Sequence, residues 1–98
     1  NVYPIEVENV IAAHSATLEV CVFGVPDDKW GEAIHVAVVP RSGHTIDPDE
    51  LREWCRGKMS KFKVPKTVEI RDQLIRGATG KILKRAELDR RVKMLEAD

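Results

Sequence analysis

Hydrophobic residues recur near the start of the chain at the spacing of a helix. Val7, Val10, Ile11 and His14 stand at i, i+3, i+4 and i+7, and Pro4 suits a first helical position. This pattern predicts a helix from Pro4 to about His14, with its apolar stripe packed against a core.

Two apolar runs follow, and both are typical of strands. The run from Leu18 to Val25 is rich in β-branched and aromatic residues, and Pro26-Asp27-Asp28 is expected to end it in a turn. The stretch from Ala33 to Val39 is apolar apart from His35, and it predicts a second strand. Together the two runs predict an antiparallel pair.

The second half of the chain adds a helix, a short strand and a last helix. Asp47 is typical of a helix N-cap and Pro48 of the first helical position, and we expect extended chain at 61–65 to end this helix. The later elements are a short alternating strand at Thr67-Val68-Glu69-Ile70 and an amphipathic surface helix from about Leu83 to Leu95.

These elements predict an α+β fold, in which about three helices flank a small mixed or antiparallel sheet with one antiparallel strand pair. We see no repeat and no internal linker, so residues 1–98 are expected to form one domain. The loop from Asp72 to Gly80 precedes the last helix, and its small and polar residues predict an exposed, mobile backbone.

Composition and length limit the classes of function. Hydrophobic content of 43% with 33% charged residues is typical of a soluble globular domain, and no apolar run approaches the roughly 20 residues of a membrane span. The first residues lack the basic and apolar blocks of a signal peptide, so we expect a cytoplasmic location. A chain of 98 residues is too short to enclose a complete two-substrate site, which predicts a module or a fragment.

Formal charge is zero overall but unevenly distributed. Residues 1–55 carry three basic and ten acidic side chains, whereas residues 56–98 carry thirteen and six. The second half is therefore where we expect an anion to bind. Two alternatives stay open, since the asymmetry would also give two solvated faces or let the two halves attract each other.

The spacing of cysteines and histidines predicts no metal site. Cys21 and Cys55 stand inside apolar stretches without a Cys-x-x-Cys spacing, which is typical of reduced core residues. His14, His35 and His44 show no ligand spacing either. We therefore expect no zinc chemistry.

A lysine on a glycine-flanked turn is the strongest candidate for chemistry. In Gly77-Ala78-Thr79-Gly80-Lys81 the glycines let the backbone approach a ligand closely, and the lysine ammonium can reach a phosphate. The turn is not a nucleotide P-loop, because Ile75 stands where the first glycine is required and Ile82 where Ser or Thr would hold magnesium. Phosphate chemistry here requires a different geometry.

Five motifs stand in order along nearly the whole chain. They are Asn1-Val2-Tyr3-Pro4 with Glu6 and Glu8, Val22-Phe23-Gly24-Val25-Pro26-Asp27, Gly31-Glu32, Phe62-Lys63-Val64-Pro65, and Thr79-Gly80-Lys81-Ile82-Leu83-Lys84-Arg85. Singly they are weak, but jointly they are specific. The chain resembles the C-terminal domain of the adenylate-forming acyl-CoA synthetases.

The resemblance implies a role for the whole domain. In that family a large N-terminal domain binds ATP and the carboxylic acid, and the small C-terminal domain caps it in one pose for adenylate formation and another for thioester formation. We therefore expect a mobile cap that is inactive alone, with the N-terminal domain and hinge outside this chain. ATP and CoA are the implied co-substrates, a fatty or aryl acid is the implied substrate, and Mg²⁺ is expected in the N-terminal domain.

The resemblance also implies roles for four residues. Lys81 matches the family's invariant lysine, which reaches the carboxylate and the α-phosphate during adenylation and acts as a cation; Gly80 beside it is assigned to cofactor binding. Arg56, nine residues before Pro65, matches an arginine that contacts the CoA nucleotide in some acetyl-CoA synthetases, although a solvated helix end is the alternative. Asn1 lies beside a hinge-side loop that approaches the adenylate or the thiol.

The start of the lysine turn departs from the family pattern. Many members have Leu-Pro there, whereas this chain reads Leu74-Ile75-Arg76. The rigidity of a proline is missing, so we expect a less pre-organised turn.

Two other functions remain as alternatives to an acyl-CoA or aryl-CoA ligase. The cap of a luciferase-like or peptide-synthetase enzyme would share the fold, but the runs at 62–65 and 82–85 favour the CoA ligases. A non-catalytic basic module that binds nucleic acid would need exposed aromatics, and only Phe62 stands near the basic cluster. We therefore expect the N-terminal adenylation domain as partner, without nucleic acid or a membrane span.

Overall fold

The computed structural model of the chain describes residues 4–97 and has the predicted α+β fold. In chain order its elements are α1 (Pro4–Ala12), β1 (Thr17–Asp27), β2 (Gly31–Pro40), α2 (Pro48–Arg56), a 3₁₀ helix (Lys61–Lys63), β3 (Thr67–Ile70) and α3 (Lys84–Glu96). The order of helices and strands predicted from the hydrophobic pattern is confirmed.

The three strands form one mixed sheet in the order β1-β2-β3. β1 and β2 are antiparallel, with Val22 opposite Val36, and β2 and β3 are parallel, with Val36 opposite Val68. α2 lies in the crossover between the parallel strands. As predicted, the Asp47 side chain caps α2, because its Oδ2 accepts the Glu50 N–H at 3.0 Å.

β1 ends at Asp27, two residues past its predicted end at Val25. The turn predicted at 26–28 therefore begins later in the structure than the sequence suggested. Pro26 is tolerated because β1 is an edge strand, where a missing N–H costs no ladder hydrogen bond. The turn comes after Asp27, whose Oδ2 accepts the Trp30 N–H at 2.8 Å. Gly31 then has a φ of +78°, a conformation that favours glycine.

The segment expected to be extended at 61–65 is partly helical. Lys61–Lys63 forms a single 3₁₀ turn in which the Lys63 N–H donates to Ser60 O at 2.9 Å. Val64 is extended, with φ −62° and ψ 129°, because the ring of Pro65 disfavours a helical residue before it. The expectation was thus wrong for 61–63.

The central hairpin is buried on both faces, and each face has its own core. The first core lies under α1 and α2, and its buried members are Val7, Ile11, Val22, Val36, Val38, Leu51 and Cys55. The second core lies under α3 and the segment that precedes it, and its members are Cys21, Phe23, Val25, Ala37, Val39 and Leu74. Burial on both faces explains why β1 and β2 are apolar runs rather than alternating strands.

Both cysteines are free and buried, as predicted for core residues. Burial raises the pKa of Cys21 to about 11 and also raises the pKa of Cys55, so both thiols stay protonated near neutral pH. Among residues 4–97, no group of three or more His, Cys, Asp or Glu side chains is placed to hold a metal ion. Within the same range, every helix is too short or too polar to span a bilayer.

A polar network links β2, β3 and α3 beside the second core. His35 is fully buried; its Nδ1 lies 2.7 Å from Thr67 Oγ1 and its Nε2 lies 3.4 Å from Glu69 Oε1. Arg90 donates to both carboxylate oxygens of Glu69 at 3.1 Å. Burial, reinforced by the charge of Arg91, lowers the pKa of His35 to about 4, so the imidazole is neutral near pH 7.

Acid should destabilise this chain through His35. In the unfolded state the imidazole takes up a proton near pH 6.5, but in the folded state only near pH 4, so the free energy of unfolding falls as the pH drops across this window. The loss is at most about 3 kcal/mol. Urea unfolding at pH 7 and pH 4.5 measures it. His35→Gln removes the titrating group and should lose most of this pH dependence; equal pH dependence in both proteins would contradict the assignment.

Candidate functional site

Residues 77–81 form a tight turn, called here the Lys81 turn. The Gly77 N–H donates to Lys81 O at 2.9 Å, and the Gly80 N–H donates to Gly77 O at 3.0 Å. Gly80 has a φ of +85°, which a residue with a side chain rarely adopts. Residues 78–81 are exposed, as the sequence predicted for this backbone. The turn therefore carries Lys81 at the surface.

The base of the Lys81 turn is held by a buried carboxylate. Glu87 on α3 is only 1% exposed, and it accepts the Ile75 N–H at 2.6 Å and pairs with Arg71. The Leu83 N–H donates to Ile75 O at 2.9 Å, which closes the base. The sequence did not reveal Glu87, because a charged residue on an amphipathic helix is usually solvated.

Arg76 connects the Lys81 turn to the sheet. Its backbone pairs with Ile82 in an isolated antiparallel bridge. Its guanidinium donates to the carbonyl oxygen of Gly80 and forms an ion pair with Glu19 on β1. These contacts restrain the Lys81 turn. The sequence showed only that the proline of many family members is missing before this turn, and it did not predict these contacts.

Four basic residues stand between positions 76 and 85. Of these, Lys81 has no acidic partner among residues 4–97. Its exposed ammonium makes no hydrogen bond or ion pair within that range, whereas the basic residues around it are engaged. Lys84 lies 3.1 Å from Glu8, Arg85 lies 3.1 Å from Asp89, and Arg76 contacts Glu19. Because its charge is not neutralised by these neighbours, Lys81 is available for an external anion.

Part of the charge asymmetry of the sequence is neutralised by ion pairs within the fold. Acidic residues of the first half pair with basic residues of the second half, which is one of the alternatives left open above. These ion pairs are Glu6 with Lys63, Glu8 with Lys84, Glu19 with Arg76, and Asp27 with Lys66. The excess of basic residues in the second half is therefore a weaker sign of anion binding than its count suggests.

The structure does not bring the predicted site residues together. Arg56 is the last residue of α2, on the side of the first core, whereas Lys81 lies beside the second core, across the sheet. The Arg56 side chain is 53% exposed and pairs with Glu53, one helical turn earlier. Gly80 adjoins Lys81, and Asn1 lies outside the described residues.

Two exposed aromatic side chains accompany the basic residues that follow α2. Phe62 is 85% exposed and stands between Lys61 and Lys63. Trp30 is 67% exposed in the β1–β2 turn, which is joined to Lys66 through Asp27, the Lys66 Nζ lying 2.7 Å from Asp27 Oδ1. The sequence indicated Phe62 but not Trp30, because only the hairpin brings that turn beside Lys66.

Comparisons with known proteins identify the family and the fold of this chain. The family model described as "AMP-binding enzyme C-terminal domain" matches residues 6–81. A probable CoA ligase of Humulus lupulus is 48% identical over 82 residues, which are 84% of this chain and 16% of that protein. A long-chain-fatty-acid–CoA ligase of Yersinia pestis is 45% identical over 98 residues, which are 100% of this chain and 17% of that protein.

A solved structure, ATP-bound MatB from Rhodopseudomonas palustris, superposes with a TM-score of 0.89 at 35% identity. The match covers 96% of this chain and 19% of that one. The chain spans about a sixth of the length of the curated relatives it matches.

Loss of the buried carboxylate should destabilise the fold. Glu87→Ala leaves the Arg71 guanidinium and the Ile75 N–H without their acceptor in a largely buried site, so the free energy of unfolding should fall by about 3 kcal/mol. Urea unfolding of the chain measures this. Asp89→Ala, which removes an exposed partner from the same helix, is the control and should change little. Similar losses in the two variants would show that Glu87 has no special structural role.

Proposed function

The chain belongs to the family of AMP-binding enzyme C-terminal domains, and we propose that it is the mobile cap of an ATP-dependent acyl-CoA ligase. Relatives named as CoA ligases support this proposal. The full enzyme would activate a fatty or aryl acid as an acyl-adenylate and then transfer the acyl group to CoA. Its N-terminal adenylation domain would bind the acid and ATP, so the cap alone would be inactive.

In this proposal Lys81 supplies a cation for adenylate formation. The single observation that carries the role is that Lys81 is exposed on an ordered turn while the basic residues around it are paired. When a carboxylate attacks the α-phosphorus of ATP, two anions meet and charge spreads over the phosphoryl oxygens and the departing pyrophosphate. An ammonium held near those oxygens in a closed interface stabilises this charge, and Gly80 lets the backbone approach it closely.

Thioester formation would use the other side of the domain. Arg56 and the basic residues around Phe62 lie across the sheet from the Lys81 turn, and they suit a nucleotide with several phosphates. An exposed aromatic ring beside cations also offers a stacking surface for an adenine base. A rotation of the cap would then remove Lys81 from the site and bring the CoA surface toward it. Asn1 is proposed to lie near the adenylate or the thiol.

The proposed enzyme would need magnesium with its ATP, and the proposal places that ion outside this domain. Within residues 4–97 no group of three or more acidic, His or Cys side chains is placed to coordinate a cation. We propose that the N-terminal domain holds any Mg²⁺ that accompanies ATP, and the roles proposed for residues of this chain do not depend on it.

Other functions would use the same fold with a different acceptor or ligand. The cap of a luciferase-like or peptide-synthetase enzyme would keep Lys81 but lack the need for a CoA nucleotide surface. A basic module for nucleic acid would bind oligonucleotides with a strong salt dependence. The relatives named as CoA ligases favour the ligase over these alternatives.

Replacement of Lys81 should affect one half-reaction selectively. In the full-length enzyme, Lys81→Ala should lower the rate of adenylate formation by roughly 10² to 10³, because a preorganised charge at the transition state is lost. Thioester formation from preformed acyl-adenylate should be largely retained. Pyrophosphate exchange measures the first half-reaction, and release of AMP from added acyl-adenylate in the presence of CoA measures the second.

Lys93→Ala is the matched control, because Lys93 is an exposed lysine on α3 outside the turn. It should leave both half-reactions unchanged. Equal loss of both half-reactions in Lys81→Ala would rule out the proposed role.

Arg56→Ala should weaken CoA binding in the full-length enzyme. The expected change is an increase of about tenfold in the KM for CoA, since a charge-assisted contact to a phosphate is lost. The rate of pyrophosphate exchange should not change. Arg41→Ala, in the exposed loop after β2, is the control. An unchanged KM for CoA would identify Arg56 as a solvated helix end.

A further inference from the structure

We propose that Arg76 is a positioning residue that orients Lys81 for adenylate formation. The inference rests on the function proposed for Lys81 and concerns how the turn is held. The Arg76 guanidinium contacts two groups at once, the carboxylate of Glu19 on β1 and the carbonyl oxygen of Gly80. It therefore joins the rigid sheet to the peptide group that leads into Lys81.

The peptide between Gly80 and Lys81 is the part of the turn that most needs a restraint. Gly80 has no Cβ and a φ of +85°, and a Cβ built there would meet nothing within 4 Å, so packing does not fix this residue. Rotation of this peptide would change the direction in which the Lys81 side chain leaves the backbone. A hydrogen bond from Arg76 to the Gly80 carbonyl opposes that rotation.

Arginine suits this task because of its shape. Its planar guanidinium presents several N–H donors in a fixed fork, so one side chain can bind a carboxylate and a carbonyl together. Glu19 holds the guanidinium, since its side chain is 21% exposed and belongs to β1. A lysine at position 76 would keep the charge but could not offer two donors in the same rigid plane.

Arg76 is distinct from the residues that hold the base of the turn. Glu87 is buried and supports the fold, whereas the Arg76 side chain is 41% exposed and contributes little to the cores. Removing Arg76 should therefore leave the domain folded and change only the geometry of the turn. This separation makes the inference testable in an intact enzyme.

The test uses the full-length enzyme and measures the two half-reactions separately, with decanoate or cinnamate, whichever the wild type activates faster. Arg76→Ala should lower kcat for pyrophosphate exchange by about tenfold to a hundredfold, because misplacement of a catalytic group costs on this order. The KM for ATP and for the acid, the Tm, and thioester formation from added acyl-adenylate should remain close to wild type. Arg76→Lys should restore part of the lost rate.

Two further variants test the contribution of the ion pair between Arg76 and Glu19. Glu19→Ala should lower kcat for exchange in the same direction but less, since the contact to Gly80 remains. The double variant with Arg76→Ala should be no slower than Arg76→Ala alone, because both substitutions remove one interaction. Arg41→Ala should have no effect. Additive losses, or losses shared by both half-reactions with a lowered Tm, would overturn the inference.

Hydrogen exchange gives a readout that does not depend on activity. In Arg76→Ala, deuterium uptake at residues 77–83 should rise, because the bonds from the Gly77 and Leu83 N–H groups open more often, and Arg41→Ala should match wild type. Unchanged uptake would overturn the role of Arg76 whatever the result for Lys81. Full adenylation activity in Lys81→Ala, with raised uptake in Arg76→Ala, would instead locate the failure in the function proposed for Lys81 and remove the catalytic part of this inference.

Discussion

The β1–β2 hairpin must be covered on both faces, and the positions of the other elements follow from this constraint. Val22 and Val36 face one side while Cys21 and Ala37 face the other, so each side needs its own layer. The helices α1 and α2 cover the first side, and α3 with the segment around Leu74 covers the second. As a result, the end of α2 and the Lys81 turn lie on opposite sides of one sheet.

Ion pairs between the two halves of the chain complete this arrangement. They engage four of the thirteen basic side chains that the second half of the sequence offered as anion ligands, namely Lys63, Lys66, Arg76 and Lys84. Most of these pairs are at least partly exposed, so each adds little to stability. Around Lys81 they leave one exposed lysine without an acidic partner among residues 4–97, which supports the cation role proposed for it.

Local signals in the sequence predicted the elements well, and contacts between distant residues were harder to foresee. The cap at Asp47 and the strand at 67–70 could be read directly, since each depends on neighbouring residues. The continuation of β1 through Pro26 depends on that strand being at the edge of the sheet, which the local sequence does not state. The burial of Glu87 likewise depends on the backbone of Ile75, twelve residues earlier. The proposal that Lys81 is a site residue rests on its glycine turn and on family resemblance, whereas the contacts of Arg76 with Glu19 and Gly80 follow only from the fold.

Glu8 illustrates how one side chain covers part of an open strand edge. Its Oε2 accepts the Val22 N–H at 2.9 Å on the open side of β1 and lies 3.1 Å from the Lys84 ammonium. A strand from a second molecule could pair there only by displacing this carboxylate from its hydrogen bond. This part of the β1 edge is thus covered by residues of α1 and α3, and in the proposed enzyme a cap that moves between two poses would carry this cover with it.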